Sequence, residues 1–163
     1  MALGGAALTV QAQDWPNKPV KVIITFTAGS STDIVGRVLT QRLSEVWGQP
    51  VVVDNKPGAG GNVGMEVVAQ AAPDGHTLLM SYAGSHAINP ALYKKLPFDP
   101  VKDFAPVATL ATLPFVLVAR PDATFKSVSE LMEQGRKSNL TFGSAGNGSV
   151  NHLLRSEERR VGK

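Results

Sequence analysis

A chain of 163 residues that is 43% apolar and 18% charged has room for one core, or for one domain and part of another. It contains no cysteine, which excludes a thiolate nucleophile, a Cys-ligated zinc and an iron–sulfur cluster. The net charge is +3, two charges of which fall in the last nine residues, and no basic stripe with interleaved aromatics exists, so nucleic acid is set aside as a partner.

The chain opens MALGGAALTVQAQDWP. Ala2–Val10 is small and apolar, and Val10-Gln11-Ala12 fits the small-x-small pattern of a signal-peptidase site. Residues 1–14 are therefore read as the remnant of an export signal, lacking its basic n-region. No stretch approaches the ~18 consecutive apolar residues of a membrane span, so no direct membrane insertion is expected.

A β-branched run, Val20–Thr25, predicts the first strand. Ile34, Val35, Val38, Leu39, Leu43 and Val46 recur at helical spacing, predicting a helix from about Thr32 to Trp47, with Ser31 or Thr32 as its cap. Gly48 ends that helix. Val51–Asp54 reads as a second strand covered on both faces. A Gly-rich turn, Pro57–Asn62, leads to a short helix over Val63–Ala71, and His76–Ser81 is a third strand. The β-α-β-α-β order with short connections predicts a parallel α/β sheet. Tyr82–Pro90 reads as a polar loop, followed by a helical turn around Ala91–Lys94 and an extended stretch at Phe104–Thr109. Leu113–Ala119 is expected to be an apolar strand. Ser127–Arg136 is a helix with a Ser127/Glu130 capping box. Leu140–Gly143 is a strand leading into a Gly/Ser loop and a further helix near Val150. This pattern divides the chain into a first α/β domain over residues 15–112, incomplete, and the start of a second over residues 113–154.

Two loops share one build: strand, small hydroxylated residues, helix N-terminus. The first is Thr27–Asp33, with Thr27, Gly29, Ser30, Ser31, Thr32 and Asp33. The second spans Ser144, Ala145, Gly146, Asn147, Gly148 and Ser149. The first amides of a helix have no intrahelical acceptor and lie at the positive end of its dipole, which suits a carboxylate. Asp33 itself is unfavourable beside an anion; it either caps the helix or accepts a bond from the far end of a ligand. Each loop also has a plainer reading, as an N-cap or a Gly/Asn turn. Gly58–Gly64 resembles a dinucleotide fingerprint only loosely, because Asn55-Lys56-Pro57 separates it from the strand and no acidic residue follows at the ribose position. A tight turn that lets the backbone approach a ligand or the next strand fits it better. Ser85 beside His86 does not make a nucleophile–base pair, since adjacent side chains rarely face each other. His76, His86 and His152 share no metal-ligand spacing, so neither a metal nor another cofactor is expected.

Several motifs together resemble the periplasmic solute receptors of tripartite tricarboxylate transporters, the "Bug" receptors. They are Trp15-Pro16-x-Lys18-Pro19, Gly29-x-x-x-Asp33, Gly48-Gln49-Pro50-Val51-Val52-Val53, Asn55-Lys56-Pro57-Gly58-Ala59-Gly60-Gly61-Asn62, Ala72-Pro73-Asp74-Gly75, Leu96-Pro97-Phe98-Asp99-Pro100, Asp103-Phe104-Ala105-Pro106 and Ser144-x-Gly146-Asn147-Gly148. The resemblance covers about Trp15 to Leu154 and only the N-terminal half of such a receptor. It implies a truncated α/β chain of the type II periplasmic-binding-protein-like clamshell class. The implied protein is a monomeric, non-enzymatic receptor in the periplasm that hands small organic acids to a membrane permease. It also implies ligand contacts from Thr27–Asp33, from Gly84, Ser85 and His86, and from Ser144–Ser149. Where the family's first loop usually has two glycines, Gly29 is followed here by Ser30. The tail over residues 155–163, RSEERRVGK, continues no apolar stripe and reads as foreign to the fold, in the manner of translated library-adapter sequence. Two alternatives stay open: an α/β enzyme, hydrolytic or nucleotide-dependent, which needs a general acid or base in a pocket; and a partner-docking domain, which needs a flat face.

Overall fold

The computed structural model describes residues 14–114, 116–141 and 143. In chain order it forms β1 (Val20–Ile24), α1 (Ser31–Trp47), β2 (Val51–Asn55), a 3-10 turn at Ala59–Gly61, and α2 (Asn62–Ala69). There follow β3 (Thr77–Met80), a π-helical turn at Gly84–Ile88, α3 (Asn89–Leu92) and α4 (Val128–Lys137). The chain parts into two compact units between Tyr82 and Ala83.

In the first unit the described strands form one parallel sheet in the order β2-β1-β3. Val22 stands beside Val53 on one side and Leu78 on the other. The central strand carries the core: Val20, Ile23 and Ile24 are fully buried and Val22 nearly so. Going from β1 to β2 and then back across to β3 reverses direction in the sheet, which puts the two crossover helices on opposite faces. Glycine contacts show this directly. A Cβ at Gly36 of α1 would fall 2.6 Å from Ile24 Cδ1, whereas one at Gly64 of α2 would fall 3.0 Å from Thr25 Cγ2 and 3.3 Å from Ile23 Cγ2. Ile24 and Ile23 point to opposite faces of a strand. Both glycines exist so that a helix backbone can lie close to β1. Gly64 thus serves close approach to the neighbouring strand, one of the two roles expected of that turn.

Burial on both faces falls to β1, Lys21 apart, and not to β2. Val52 is 52% exposed, and no other β2 residue is fully buried. An unbroken valine run reports strand propensity; which strand is central depends on partners far away in sequence.

At the N-terminal edge of the sheet, two of the quoted motifs meet. Lys18 Nζ donates to Asp74 Oδ2 at 2.8 Å. Trp15 packs edge-on against Trp47 at 5.0 Å and tilted against His76 at 5.7 Å. Gly75, at φ +79°, leaves room for the Trp15 indole, whose Nε1 would lie 3.1 Å from a Cβ there. Lys18 and the His76 amide hold Asp74 ionised, its pKa lowered to about 2.

In the second unit the expected polar loop at Tyr82–Pro90 is instead wound into the π-helical turn and α3, with Pro90 in the first turn of α3, where its missing N–H is harmless. Phe98 is buried, with Phe104 edge-on at 5.9 Å. Asp99 accepts the amides of Val101 and Lys102 and gives its own N–H to Asp103, closing the turn between the Leu96–Pro100 and Asp103–Pro106 motifs. The α4 helix starts where the sequence places it: Ser127 Oγ accepts the Glu130 amide, and the Glu130 carboxylate accepts the Lys126 amide. The expected strands at Leu113–Ala119 and Leu140–Gly143, and the extended Phe104–Thr109, form no ladder among the described residues. Val107, Val116, Leu117 and Val118 are largely exposed. A strand is held by hydrogen bonds to a neighbour, so an apolar run without a partner remains irregular chain.

Candidate functional site

In an open parallel sheet, ligands sit outside the carboxyl ends of the strands where the strand order switches, here between β1 and β3. The loops leaving those strands adjoin. Thr25 Oγ1 lies 3.5 Å from Ser81 Oγ, and the Phe26 and Tyr82 rings meet edge-on at 4.9 Å. The segment Thr27–Ser30 then turns into α1, with Gly29 at φ +82°, a left-handed conformation that glycine adopts without strain.

The cap of α1 is Ser30, one residue ahead of the expected Ser31 or Thr32. Its hydroxyl accepts the Asp33 amide at 3.2 Å. The Asp33 carboxylate returns to accept the Gly29 amide at 2.8 Å. This is a capping box whose acid reaches one residue beyond the cap, the same device that Ser127, Glu130 and Lys126 build at α4. Ser30 N–H is used as well, donating to Thr27 O at 3.2 Å. The Gly29 and Ser30 amides, expected to be open, are therefore turned inward. The amides of Ser31 and Thr32, the first two of α1, have no acceptor among the described residues. They present the positive end of a 17-residue helix at the carboxyl end of the central strand.

Asp33 is 2% exposed and does not face a solute; it faces the protein. Arg37 Nε donates to Oδ2 at 2.9 Å and Asn55 Nδ2 to Oδ1 at 2.8 Å. These bonds, led by Arg37 and followed by Gly29 and Asn55, lower its pKa to about 2. Of the two roles open to Asp33 in the sequence, the structure selects capping. Arg37 and Asn55 were not among the residues singled out for the site. Their signals were present: Arg37 is four residues after Asp33, the spacing of a helical ion pair, and Asn55 opens the quoted Asn55-Lys56-Pro57 motif.

Gly84, Ser85 and His86 belong to the second unit. Gly84 and Ser85 are buried, Ser85 completely. His86 Nδ1 stands 3.2 Å from Pro100 O, which assigns the proton to that nitrogen, and its ring packs edge-on against Phe104 at 5.4 Å. Ser144–Ser149 lie outside the described residues. A hollow of about 180 Å³ sits at the opposite edge of the sheet, among Asp14, Trp15, Asn17, Lys18, Asp74 and His76. There the charged groups Lys18 and Asp74 already satisfy one another. Among the described residues no cluster of three or more metal-ligating side chains occurs, and no helix is long and apolar enough to cross a membrane.

A family model described as tripartite tricarboxylate transporter family receptor matches residues 35–160. The chain belongs to that receptor family. Protein BugT of Bordetella pertussis is 37% identical over 157 residues, 94% of this chain and 48% of BugT. A protein from the gbd 5' region of Cupriavidus necator is 39% identical over 160 residues, 96% of this chain and 48% of that protein. Among solved structures, MatC from Rhodopseudomonas palustris with bound malate matches at TM-score 0.79 and 38% identity, over 89% of this chain and 51% of MatC. A second R. palustris protein, with adipate, matches at TM-score 0.80 and 36% identity, over 86% of this chain and 48% of that one. The periplasmic binding protein BugD matches at TM-score 0.74 and 33% identity, over 90% of this chain and 50% of BugD. The fold of this tricarboxylate-receptor chain is thus that of a periplasmic binding protein, and the chain spans about half the length of these relatives.

Proposed function

We propose that this chain contributes the first carboxylate-binding lobe of an extracytoplasmic solute receptor that serves a tripartite tricarboxylate-type permease. The observation that carries the reading is the pair of amides, Ser31 and Thr32, that have no acceptor among the described residues and stand at the mouth of the central strand. Two backbone donors backed by a helix dipole match one carboxylate, and Thr27, Ser31 and Thr32 bring hydroxyls to the same stretch of chain. Likeness to proteins solved with malate and with adipate supports small dicarboxylates as the solute class. The whole receptor is driven closed by solute contacts made only in its closed state. The receptor acts as a monomer in the periplasm. No chemistry is performed on the solute: Asp33, the acidic side chain of this mouth, is spent on Arg37, Asn55 and Gly29. Backbone amide NMR tests this. Millimolar malate or adipate should shift the Ser31 and Thr32 amides first, while nucleotides leave them unchanged. No response to either acid, or a response to nucleotides instead, overturns the reading.

A further inference from the structure

The geometry points to Asn55, at the end of β2 and outside the solute-facing loop, as the positioning residue that holds the Ser31 and Thr32 amides in place. The inference rests on the carboxylate reading of that loop. Asn55 makes three hydrogen bonds to three different points around it. Nδ2 donates to Phe26 O at 3.0 Å and to Asp33 Oδ1 at 2.8 Å, and Oδ1 accepts Arg37 Nη2 at 3.0 Å. Phe26 immediately precedes the loop and Asp33 immediately follows the two amides. One amide side chain therefore fastens both ends of residues 27–32. Both Nδ2 protons are used, one on each acceptor, so the group has a single workable orientation: flipped, its oxygen would face a carbonyl and a carboxylate.

Asn55 is itself fixed by the sheet. It pairs in register with Ile24, the last residue of β1, and the following Lys56 amide donates to Ile24 O at 2.8 Å. The most buried strand of the unit thus dictates, through β2, where the loop stands. The same contacts solve an electrostatic problem. Asp33 places a negative charge in the first turn of α1, where an incoming carboxylate would meet it. Arg37 opposes that charge, and the Asn55 and Gly29 donors turn the carboxylate oxygens inward, so the outward face of the turn is left to the Ser31 and Thr32 amides.

Two substitutions separate positioning from bulk stability. Asn55→Leu removes all three bonds. Asn55→Asp keeps the size and the acceptor facing Arg37 but replaces both donor bonds with repulsion, and protonation restores one donor. In the ligand-free chain, amide exchange at Gly29 and Ser30 should accelerate roughly tenfold in either variant, with Val22–Ile24 of β1 unchanged. Malate binding, read by titration of the Thr32 amide shift, should weaken roughly tenfold in Asn55→Leu. In Asn55→Asp the loss relative to wild type should shrink as the pH falls from about 8 to about 5, as a carboxyl squeezed against Asp33 takes up its proton. The wild-type ratio cancels titration of malate itself. A merely structural Asn55 would speed exchange in β1 and the loop together and give no pH recovery. Unchanged loop exchange in Asn55→Leu, or exchange that rises equally throughout the unit, overturns the inference. If wild type ignores malate and adipate, the carboxylate reading fails on its own, and loop exchange still decides whether Asn55 positions the loop.

Discussion

Gly36→Ala tests the packing that sets α1 on the sheet. The new Cβ would lie 2.6 Å from Ile24 Cδ1 and 2.8 Å from Met80 Sδ. Comfortable contact needs about 3.5–4.0 Å, so both atoms must retreat by about 1 Å. Ile24 has no exposed surface into which to move. Overpacking of this kind costs about 1–3 kcal/mol, and the better helix propensity of alanine returns up to about 1 kcal/mol. The net expectation is a loss of about 1 kcal/mol, a fall in Tm of roughly 2–8 °C. Ile24→Val removes the offending Cδ1 and by itself costs about 0.5–1.5 kcal/mol. In the Gly36→Ala background that truncation relieves the clash, so the loss in the double variant should fall short of the sum of the two single losses by at least about 0.5 kcal/mol. Urea titrations of wild type, both single variants and the double variant, followed by tryptophan fluorescence and far-UV circular dichroism, give the four free energies. Gly135→Ala is the control: the nearest atom to its Cβ would be Leu140 Cδ1 at an ordinary 3.6 Å, so propensity acts alone and the change should stabilise. Additive losses at Gly36 and Ile24, or a stabilising Gly36→Ala, would refute the close approach of α1 to β1.

Ser30→Ala removes the oxygen that accepts the Asp33 amide and should cost about 0.5–2 kcal/mol in a denaturation midpoint, with Ser127→Ala acting likewise at α4. Asp33 and Asp74 both have pKa values lowered to about 2 from 3.8, so their stabilising contribution is complete above about pH 4 and is lost as the pH falls through about 2. Thermal melts between those limits should show a steep fall in Tm that Asp33→Asn or Asp74→Asn makes shallower; equal slopes in the variants would count against both networks. The exposed apolar residues Val116 and Val118, which stand in irregular chain without a strand partner among the described residues, should drive concentration-dependent association. Changing both to lysine should raise the concentration at which light scattering begins, and no change would remove this segment as the cause.

The elements of the first unit were legible in the sequence because their signals are local. A β-branched run, a helical apolar period and a glycine after the last turn each act within a few residues, and β1, α1, β2, α2 and β3 appeared where those patterns stood; in the second unit the Ser127/Glu130 box placed α4 in the same way. The Ser/Thr-rich mouth at the end of β1 was legible for the same reason. What the local patterns carried no information about was partnership. Val51–Val53 looks as buried as Val20–Ile24, yet sheet order put the first at the side and the second in the centre. Leu113–Ala119 has a strand's composition and no ladder among the described residues. Asp33 read equally as a cap or a ligand contact until Arg37, one turn on, and Asn55, from another strand, were brought to its two oxygens. Propensity is set by a residue's own backbone and its near neighbours; burial, strand position and the fate of a charged group are set by atoms distant along the chain, and only the folded arrangement brings those together.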